Sequence, residues 1–377
     1  MPPSLLTVPE IRLGEKFDCS CGRVHKVATR QILFGDSLGE LLDLVTSGID
    51  PRGPVAVVTG HKTRSIAGEL VKAHFSKHGY GSVVFEVERA DIGTVSELER
   101  VASNCSLAVA VGGGTVIDVC KYAAHRLGIP FISIPTTISH DGISSPVASI
   151  LLGSRRTSLM ATPPQTVVIT EPLIKLSPRR LISSGCADIL AKTTSLRDWL
   201  LGHLVKDEYF CKTTFNLTAS ALLDIRRFID AGCSNVLLLA SAAVKCGLAM
   251  TLAESSRPCS GAEHLFSHYL DLVGEGSGLH GEQVGIGAIL MAARYEDFDS
   301  LPEQGSELTF QELRSYLGRA GAPTSITDIK VSSEVALKAL LECKNLRPER
   351  YTILHHAPLT PTGAYSLLKK TGMVTEP

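Results

Sequence analysis

The sequence predicts an α/β protein in which a parallel sheet with covering helices is followed by an all-helical part. Two observations support this class. Short β-branched runs alternate with helical patterns up to about residue 170, and long helical patterns then continue to the C-terminus. At 377 residues with 44% hydrophobic side chains, the chain is long enough for two domains. We therefore expect an α/β domain over residues 1–170 and a helical domain over residues 171–377.

The N-terminal elements follow one another in a β, α, β, α rhythm, which is typical of a parallel sheet covered on both faces. The predicted strands are VAVVT (55–59), SVVFEVE (82–88), LAVAVG (107–112), FISIPT (131–136) and TVVIT (166–170). The helical patterns between them are TRSIAGELVKAHFSKHG (63–79), SELERVA (96–102) and TVIDVCKYAAHRLG (115–128).

Composition argues against nucleic-acid or membrane partners. The 37 basic and 38 acidic residues balance, so no broad field attracts nucleic acid or anionic lipid. The longest apolar stretch, residues 236–253, is interrupted by Ser241 and Lys245, which predicts a buried helix rather than a membrane span. Ten scattered cysteines and an N-terminus, MPPSLLTVPEIRLGE, without a secretory pattern predict a cytoplasmic protein with reduced thiols. A homo-oligomer is compatible with this sequence.

A glycine-rich segment ends one predicted strand and opens a helix. VAVGGGTVID (109–118) places Gly113 and Gly114 just before a helix that begins at Thr115. Backbone N–H groups at a helix N-terminus suit a pyrophosphate, and glycines allow the backbone to approach it closely. The spacing differs from G-x-G-x-x-G, so a plain tight turn is an equal alternative.

The next strand ends in a loop rich in hydroxyl side chains, PTTISHDGISSP (135–146), which also contains His140 and Asp141. Loops at the carboxyl ends of parallel strands are where ligands bind in open α/β sheets. Turn and cap chemistry of Ser139 and Asp141 is the alternative interpretation.

Three histidines lie close together in the helical part. His264 and His268 are four residues apart, so one helix face carries both, and His280 follows a glycine-rich turn. Asp188 follows small residues in SSGCADILAK, so its carboxylate can point inward, where it needs a paired charge or a metal. One Asp and two neutral imidazoles form a three-ligand site with an open position, as catalytic divalent metals require. Structural histidines and a surface aspartate are the alternatives.

Several segments, in chain order, resemble the sn-glycerol-1-phosphate dehydrogenases, a family related to glycerol dehydrogenase, metal-dependent alcohol dehydrogenases and dehydroquinate synthase. The resemblance extends from about residue 30 to the C-terminus, and HLFSH followed by HGEQ is its most specific part. The segments that carry it are VGGGTVIDVCK, IPTTISHDGISSP, GCADILAK, SRPCSGAEHLFSH, GLHGEQVG and LRPERYTIL.

The resemblance implies a Rossmann-like, dinucleotide-binding domain followed by a dehydroquinate synthase-like helical domain that binds metal and substrate. It implies that Asp188, His264 and His280 bind one divalent metal ion, with zinc expected and nickel or iron as alternatives. Asp141 and His268 are then the catalytic candidates, and both would contact the substrate. The implied cofactor-binding residues are Gly113, Gly114, Thr115, Asp118, Thr136, Thr137, Ser139 and Ser145.

One departure from the family pattern bears on the cofactor. Relatives that prefer NAD place an acidic residue where the first strand ends, whereas this chain has Gly60, His61 and Lys62 there. Without a carboxylate to repel a 2′-phosphate, and with a lysine nearby, NADP is expected to be accepted as well as NAD.

The implied activity is the reversible NAD(P)H-dependent reduction of dihydroxyacetone phosphate to sn-glycerol 1-phosphate, a reaction of phospholipid biosynthesis. Because the chain is nearly neutral, the substrate phosphate needs a local cation, and Arg257 is the first candidate, followed by Arg350. A surface arginine or an ion pair is the alternative for each.

Two other activities stay open. One is a dehydroquinate synthase-like cyclase or lyase that uses NAD transiently, although those enzymes carry Glu where this chain has Asp188. The other is an unphosphorylated polyol dehydrogenase.

The segment FDCSCGRVH (17–25) offers a separate metal candidate. Cys19, Cys21 and His25 are three potential zinc ligands, but their spacing is unusual and no second pair follows nearby. A reduced surface turn without an ion is the favoured interpretation.

Overall fold

The computed structural model of the chain describes residues 11–49, 51–153, 155–298, 301 and 307–374. It divides into two compact units, one of Met1–Cys19 and Arg23–Leu181, the other of Ser20–Gly22 and Ile182–Pro377. The predicted class, a parallel sheet with helices followed by a helical part, is confirmed. The predicted domain bounds, 1–170 and 171–377, stay a prediction. The first ten residues, to which the predicted lack of a secretory signal refers, lie outside the described residues.

The first unit is built on a parallel sheet of six strands. The strands in chain order are β1 (Lys16–Asp18), β2 (Val24–Lys26), β3 (Gln31–Gly35), β4 (Val55–Thr59), β5 (Ser82–Glu86), β6 (Leu107–Gly112), β7 (Phe131–Pro135), β8 (Val147–Leu152), β9 (Arg155–Met160) and β10 (Thr166–Thr170). The sheet order is β3-β10-β7-β6-β4-β5. Every residue of β4, β6, β7 and β10 is buried, as expected for strands covered on both faces.

The sequence predicts five of the six sheet strands to within two residues at their ends. It misses β3 and two antiparallel hairpins, β1–β2 and β8–β9. These elements are partly exposed and have no long β-branched run, so they lack the buried-strand pattern that identifies the others.

Helices of the first unit connect the strands and cover the sheet. Ser37 and Asp91 begin two of them by accepting backbone N–H bonds, and Gly128 ends another in the left-handed conformation. Leu42, Val57 and Phe75 belong to the apolar core beneath them. The helices are α1 (Leu38–Ser47), α2 (His61–Thr63), α3 (Glu69–Lys77), α4 (Ile92–Val101), α5 (Gly114–Leu127) and α6 (Glu171–Lys175).

The second unit contains helices and no strand in the part that the structure describes. Its helices are α7 (Arg179–Leu190), α8 (Lys192–Lys206), α9 (Lys212–Asp230), α10 (Val236–Ala253), α11 (Ala262–Val273), α12 (His280–Glu296), α13 (Phe310–Arg319), α14 (Ser333–Glu342), α15 (Ile353–His356) and α16 (Pro361–Lys370).

Helix α10 is long and apolar enough to cross a membrane by length and composition alone. However, 83% of it is buried inside the protein. Lys245, one of the two residues that interrupt its apolar pattern, lies 2.7 Å from the carboxylate of Asp224 on α9. The prediction of a buried helix is therefore confirmed.

Candidate active site

The three predicted metal ligands lie together in the second unit. Asp188 is on α7, His264 is in the first turn of α11 and His280 is the first residue of α12. Their ligand atoms all lie within 4.8 Å of one another, and His264 Nε2 is 3.6 Å from Asp188 Oδ1. In a tetrahedral site with bonds of about 2.1 Å, ligand atoms are about 3.4 Å apart, so this arrangement fits a divalent cation after small adjustments.

Two glycines let α12 pack directly against its neighbours. A Cβ atom at Gly281 would lie 2.0 Å from the carbonyl oxygen of Ser184 on α7. One at Gly287 would lie 2.7 Å from the carbonyl oxygen of Glu263 on α11. Real Cβ atoms essentially never come within 3.0 Å of another heavy atom, so any side chain here would displace α12. The glycines thus set the position of His280 relative to the other two ligands.

Hydrogen bonds fix the tautomers of both ligand histidines. Nδ1 of His264 lies 2.8 Å from Oε1 of Glu263, a carboxylate that can only accept, so Nδ1 carries the proton. Ser267 donates its hydroxyl to Gln283 Oε1 at 2.7 Å and can therefore accept from Nδ1 of His280, 3.3 Å away. In both rings Nε2 is left without the proton, as it would have to be for the predicted metal coordination.

The carboxylate of Asp188 is ionised although it is buried. Burial alone would raise its pKa, but Lys192 and the imidazoles of His264 and His280 together hold the pKa well below its usual range. The Lys192 ammonium is itself fully buried and lies 3.0 Å from Asp188 Oδ1. An ionised carboxylate at this point is what a divalent cation requires.

A second buried carboxylate positions the start of α11. Asp198 Oδ2 accepts the backbone N–H of Ala262 at 2.7 Å, and Oδ1 accepts from Tyr295 Oη at 2.6 Å and from the N–H of Ile353 at 2.7 Å. Burial and the nearby charge of Glu263 raise the pKa of Asp198 to about 6. The carboxylate thereby anchors the turn of helix that carries His264.

His268 stacks on a ligand histidine. Its ring centroid lies 6.3 Å from that of His280, with the rings 19° from parallel. Burial, together with the charges of His280 and Arg347, holds the pKa of His268 well below its usual range. The ring is therefore neutral at pH 7, with one N–H donor and one acceptor nitrogen.

The predicted phosphate ligand, Arg257, is buried and largely engaged. Its Nη2 donates to Glu208 Oε2 and to the carbonyl oxygens of Asp198 and Tyr351, each at 2.8 Å, and its Nε lies 2.7 Å from Glu208 Oε1. Its Nε and Nη1 are buried and make no hydrogen bond among the described residues, although Nε is in ion-pair contact with Glu208. Binding of a phosphate by Arg257 stays a prediction.

Arg350 adds to a positively charged cluster. It donates to the carbonyl oxygen of Ser260 and, at 2.8 Å, to Ser256 Oγ. Burial and the charges of Arg257 and Arg347 lower the pKa of Arg350 to about 9. Three guanidinium groups that repel one another indicate a place where an anion would be stabilised.

In the first unit, the glycine loop joins β6 to the N-terminus of α5. Gly113 is the residue before the helix and has extended backbone angles. A Cβ atom at Gly114 would lie 2.0 Å from Nε2 of His140, so this glycine makes room for the imidazole. Thr115 is exposed in the first turn of α5. The loop thus provides a helix N-terminus, and the imidazole of His140 occupies the space beside Gly114.

Most other predicted cofactor contacts are buried in the same unit. Asp118 pairs with Lys121 at 3.1 Å and accepts the N–H of Ser149 at 3.1 Å, which shows a role in holding the loop. Asp141 begins a short 3₁₀ turn, which the ring of His140 caps. Contact of Asp118 with a cofactor stays a prediction, as it does for Thr136, Thr137, Ser139 and Ser145. The catalytic and substrate-binding role of Asp141 also stays a prediction.

Sequence reasoning missed an acidic residue near the predicted adenosine end of the cofactor. Glu86 ends β5 and lies opposite Thr59, the last residue of β4. Its carboxylate is 2.6 Å from Nη1 of Arg64 and 3.4 Å from Nδ1 of His61. Neighbouring parallel strands end at the same edge of a sheet, so the sequence could have placed Glu86 near the end of β4. That inference requires the strand order, which the sequence alone did not provide.

The supporting residues of the metal site were also missed. Lys192 stands one helical turn after Asp188, and Glu263 directly precedes His264. Both residues lie inside the segments that carry the family resemblance, GCADILAK and SRPCSGAEHLFSH. Ser267 and Gln283 carry no signal of their own, because polar residues on helices are usually exposed.

Comparisons with known proteins place the chain in a class. Residues 36–178 match the family model described as iron-containing alcohol dehydrogenase. The structure is similar to glycerol dehydrogenase from Schizosaccharomyces pombe, with a TM-score of 0.71 and 17% identity over 91% of this chain and 89% of that one. It is also similar to maleylacetate reductase from Agrobacterium tumefaciens, with a TM-score of 0.72 and 14% identity over 92% and 97%. The fold is therefore that of the iron-containing alcohol dehydrogenases.

Curated relatives identify the family within this class. The chain is 38% identical over 355 residues to glycerol-1-phosphate dehydrogenase [NAD(P)+] from Pyrococcus furiosus, covering 92% of this chain and 98% of the relative. It is 40% identical over 286 residues to the protein of the same name from Cenarchaeum symbiosum, covering 75% and 77%. The chain belongs to the glycerol-1-phosphate dehydrogenase family, as its motifs predict. It is accordingly an oxidoreductase.

Proposed function

We propose that this protein catalyses the reversible, NAD(P)H-dependent and metal-dependent reduction of dihydroxyacetone phosphate to sn-glycerol 1-phosphate. The observation that carries the proposal is the convergence of Asp188, His264 and His280 in a member of this family. A cyclase that uses NAD transiently and an unphosphorylated polyol dehydrogenase are not favoured, because the relatives are named for a phosphorylated product and for NAD(P)+.

The three ligand side chains would hold one divalent ion. A carboxylate and two imidazoles are compatible with zinc, nickel and iron. When bound, the metal polarises the ketone oxygen of the substrate, and the nicotinamide supplies the hydride for C2. Lys192 keeps the Asp188 carboxylate ionised, and Glu263 keeps Nε2 of His264 turned toward that carboxylate.

His268 is proposed as the proton relay. A neutral imidazole can donate one proton while accepting another, so it can connect the substrate oxygen with water. Its stacking on His280 places it next to the proposed metal ligands. Asp141, in the other unit, stays a proposed catalytic and substrate contact.

The arginine cluster is proposed to bind the substrate phosphate. Arg257 contributes Nη1, which makes no hydrogen bond among the described residues. Arg350 contributes a positive charge, and the groups that accept its hydrogen bonds are a carbonyl oxygen and a hydroxyl rather than a carboxylate. A phosphate dianion would relieve the repulsion among Arg257, Arg347 and Arg350.

The glycine loop is proposed to bind the cofactor pyrophosphate. Gly113, Gly114 and Thr115 form the start of α5, where backbone N–H groups are available to an anion. Acceptance of NADP is supported by His61 and Lys62 after β4. Glu86 would repel a 2′-phosphate less than an unpaired carboxylate would, because Arg64 neutralises it. The remaining proposed contacts are Asp118, Thr136, Thr137, Ser139 and Ser145.

A cytoplasmic location is part of the proposal. Five cysteines, Cys105, Cys120, Cys186, Cys259 and Cys343, are buried in the part of the chain that the structure describes, as suits reduced thiols. A small phosphorylated ketone is the proposed partner, and self-association into a homo-oligomer is compatible with it.

The direct test is oxidation of NADH and NADPH with dihydroxyacetone phosphate, compared with dihydroxyacetone at equal concentration. We expect stoichiometric cofactor oxidation with the phosphorylated ketone and a product that sn-glycerol-3-phosphate dehydrogenase does not oxidise. Equal turnover of dihydroxyacetone, or cofactor that is not consumed, would contradict the proposal.

A further inference from the structure

Two histidines and an aspartate lie together within the first unit, and none of them belongs to the proposed active site. His74 and His78 are four residues apart at the C-terminal end of α3, and Asp43 is on α1. One ligand atom of each of the three side chains lies within 4.8 Å of the others. The two imidazole rings have centroids 4.3 Å apart and are 35° from parallel. Two helices of one compact unit therefore bring three metal-ligand side chains to a single place.

The helices that carry these side chains share one apolar core. Leu42, the residue before Asp43, and Phe75, the residue after His74, are fully buried in the same cluster. The side chain of His74 is only 9% exposed, whereas that of Asp43 is 67% exposed. The group thus has an ordered inner side, and its outer side is open to water.

Hydrogen bonds fix the tautomers of both histidines. The Thr46 hydroxyl donates to the carbonyl oxygens of Leu42 and Asp43 at 3.0 and 3.1 Å, so it can accept from Nε2 of His74, 3.4 Å away. Nδ1 of His78 lies 2.9 Å from the carbonyl oxygen of His74, which can only accept, so Nδ1 carries the proton. The nitrogens left without a proton are Nδ1 of His74 and Nε2 of His78.

Both of these nitrogens lie near the same carboxylate oxygen. Asp43 Oδ1 is 3.8 Å from Nδ1 of His74 and 3.9 Å from Nε2 of His78, which is too long for a hydrogen bond. Three electron-rich atoms that lie together repel one another unless a cation lies between them. Ligand atoms of a tetrahedral ion with bonds of about 2.1 Å are about 3.4 Å apart. The two oxygen–nitrogen distances therefore need to shorten by about 0.5 Å to hold such an ion.

We propose that Asp43, His74 and His78 bind one Zn²⁺ ion that links α1 to α3, with water completing its coordination. Imidazole and carboxylate are ordinary zinc ligands, and the hydrogen bonds to Thr46 and to the His74 carbonyl are the supporting contacts that zinc-binding histidines need. An ion that binds the folded chain alone stabilises it, so zinc would stabilise the first unit. This site shares no residue with the proposed catalytic site and does not depend on the proposed activity.

The test measures the zinc bound per chain by the full-length protein. Metal-free protein is dialysed against buffered micromolar Zn²⁺, and the bound metal is determined by inductively coupled plasma mass spectrometry. We expect His78→Gln to bind one zinc ion fewer than the wild type. His280→Ala is expected to lose a different ion, so the double variant should bind two fewer. Loss in His78→Gln without loss in His280→Ala would leave this proposal standing and count against the catalytic site alone.

His125→Gln is the matched control, because His125 is also an exposed histidine near the C-terminal end of a helix in the first unit. It lies outside the group and should bind as much zinc as the wild type. If His78→Gln fails to fold, Asp43→Asn changes the more exposed ligand. It should weaken this site by at least about 10-fold, the loss found even when only the support of a metal ligand is removed. Equal zinc in the wild type and in both ligand variants, or binding only at millimolar Zn²⁺, would overturn the proposal.

Discussion

Gly281→Ala tests whether close helix packing sets the geometry of the metal site. The added Cβ would lie 2.0 Å from the carbonyl oxygen of Ser184, and contacts below 3.0 Å are essentially never seen. The start of α12 must therefore move by about 1 Å, and His280 moves with it. Metal–ligand bonds vary by only about 0.2 Å. We expect the overpacked site to cost about 1–3 kcal/mol of unfolding free energy.

The effect on metal binding should be larger than on folding. We expect the affinity for Zn²⁺ to fall by about 10- to 100-fold, the range found when the support of a metal ligand is lost. The assay is titration of metal-free protein in competition with a chromogenic chelator, alongside urea unfolding. Gly318→Ala is the control, because its Cβ would meet nothing closer than 3.9 Å and should stabilise α13 by up to about 1 kcal/mol. Wild-type affinity in Gly281→Ala would refute the reasoning.

Three further predictions concern single side chains. Glu263→Gln removes the carboxylate that fixes His264 and should weaken metal binding by about 10- to 100-fold in the same titration; unchanged affinity would mean that the carboxylate is dispensable. Arg257→Met should raise KM for dihydroxyacetone phosphate by about 10- to 100-fold, which corresponds to the loss of one hydrogen bond to a charged group. KM for dihydroxyacetone should stay unchanged. A parallel rise in both KM values would argue against phosphate binding by Arg257. Asp91→Ala should cost about 1 kcal/mol at pH 7, because Asp91 caps α4. Hydrogen bonds from Thr94 lower the pKa of Asp91 below 3.8, so its contribution is complete above that pH and is lost as the pH falls through the lowered pKa. A difference between wild type and Asp91→Ala that persists unchanged in acid would contradict this assignment.

The sequence was informative where burial gives a regular pattern. Continuous β-branched runs identify β4, β6 and β10 because both faces of these strands are covered. The segment after Pro178 was harder to interpret, because a single continuous helical pattern in the sequence spans both α7 and α8. The chain turns at Ala191 between α7 and α8, and no Gly or Pro marks the turn.

Among the proposed site residues, Asp188, His264 and His280 could be selected from the sequence, whereas the residues that support them could not. His264 and His268 stand at helical spacing and His280 follows a glycine-rich turn shortly after them, which is a strong local signal for a rare residue type. Glu263 and Lys192 are common charged residues, and their burial follows from which helices pack together.

We propose that one catalytic metal ion is bound by Asp188, His264 and His280. The most direct measurement is a crystal structure of the metal-loaded protein with anomalous diffraction recorded at the absorption edge of the metal that supports turnover. We expect an anomalous peak about 2.0–2.2 Å from a carboxylate oxygen of Asp188 and from Nε2 of both histidines. A catalytically competent metal bound elsewhere, with these three side chains uncoordinated, would contradict it.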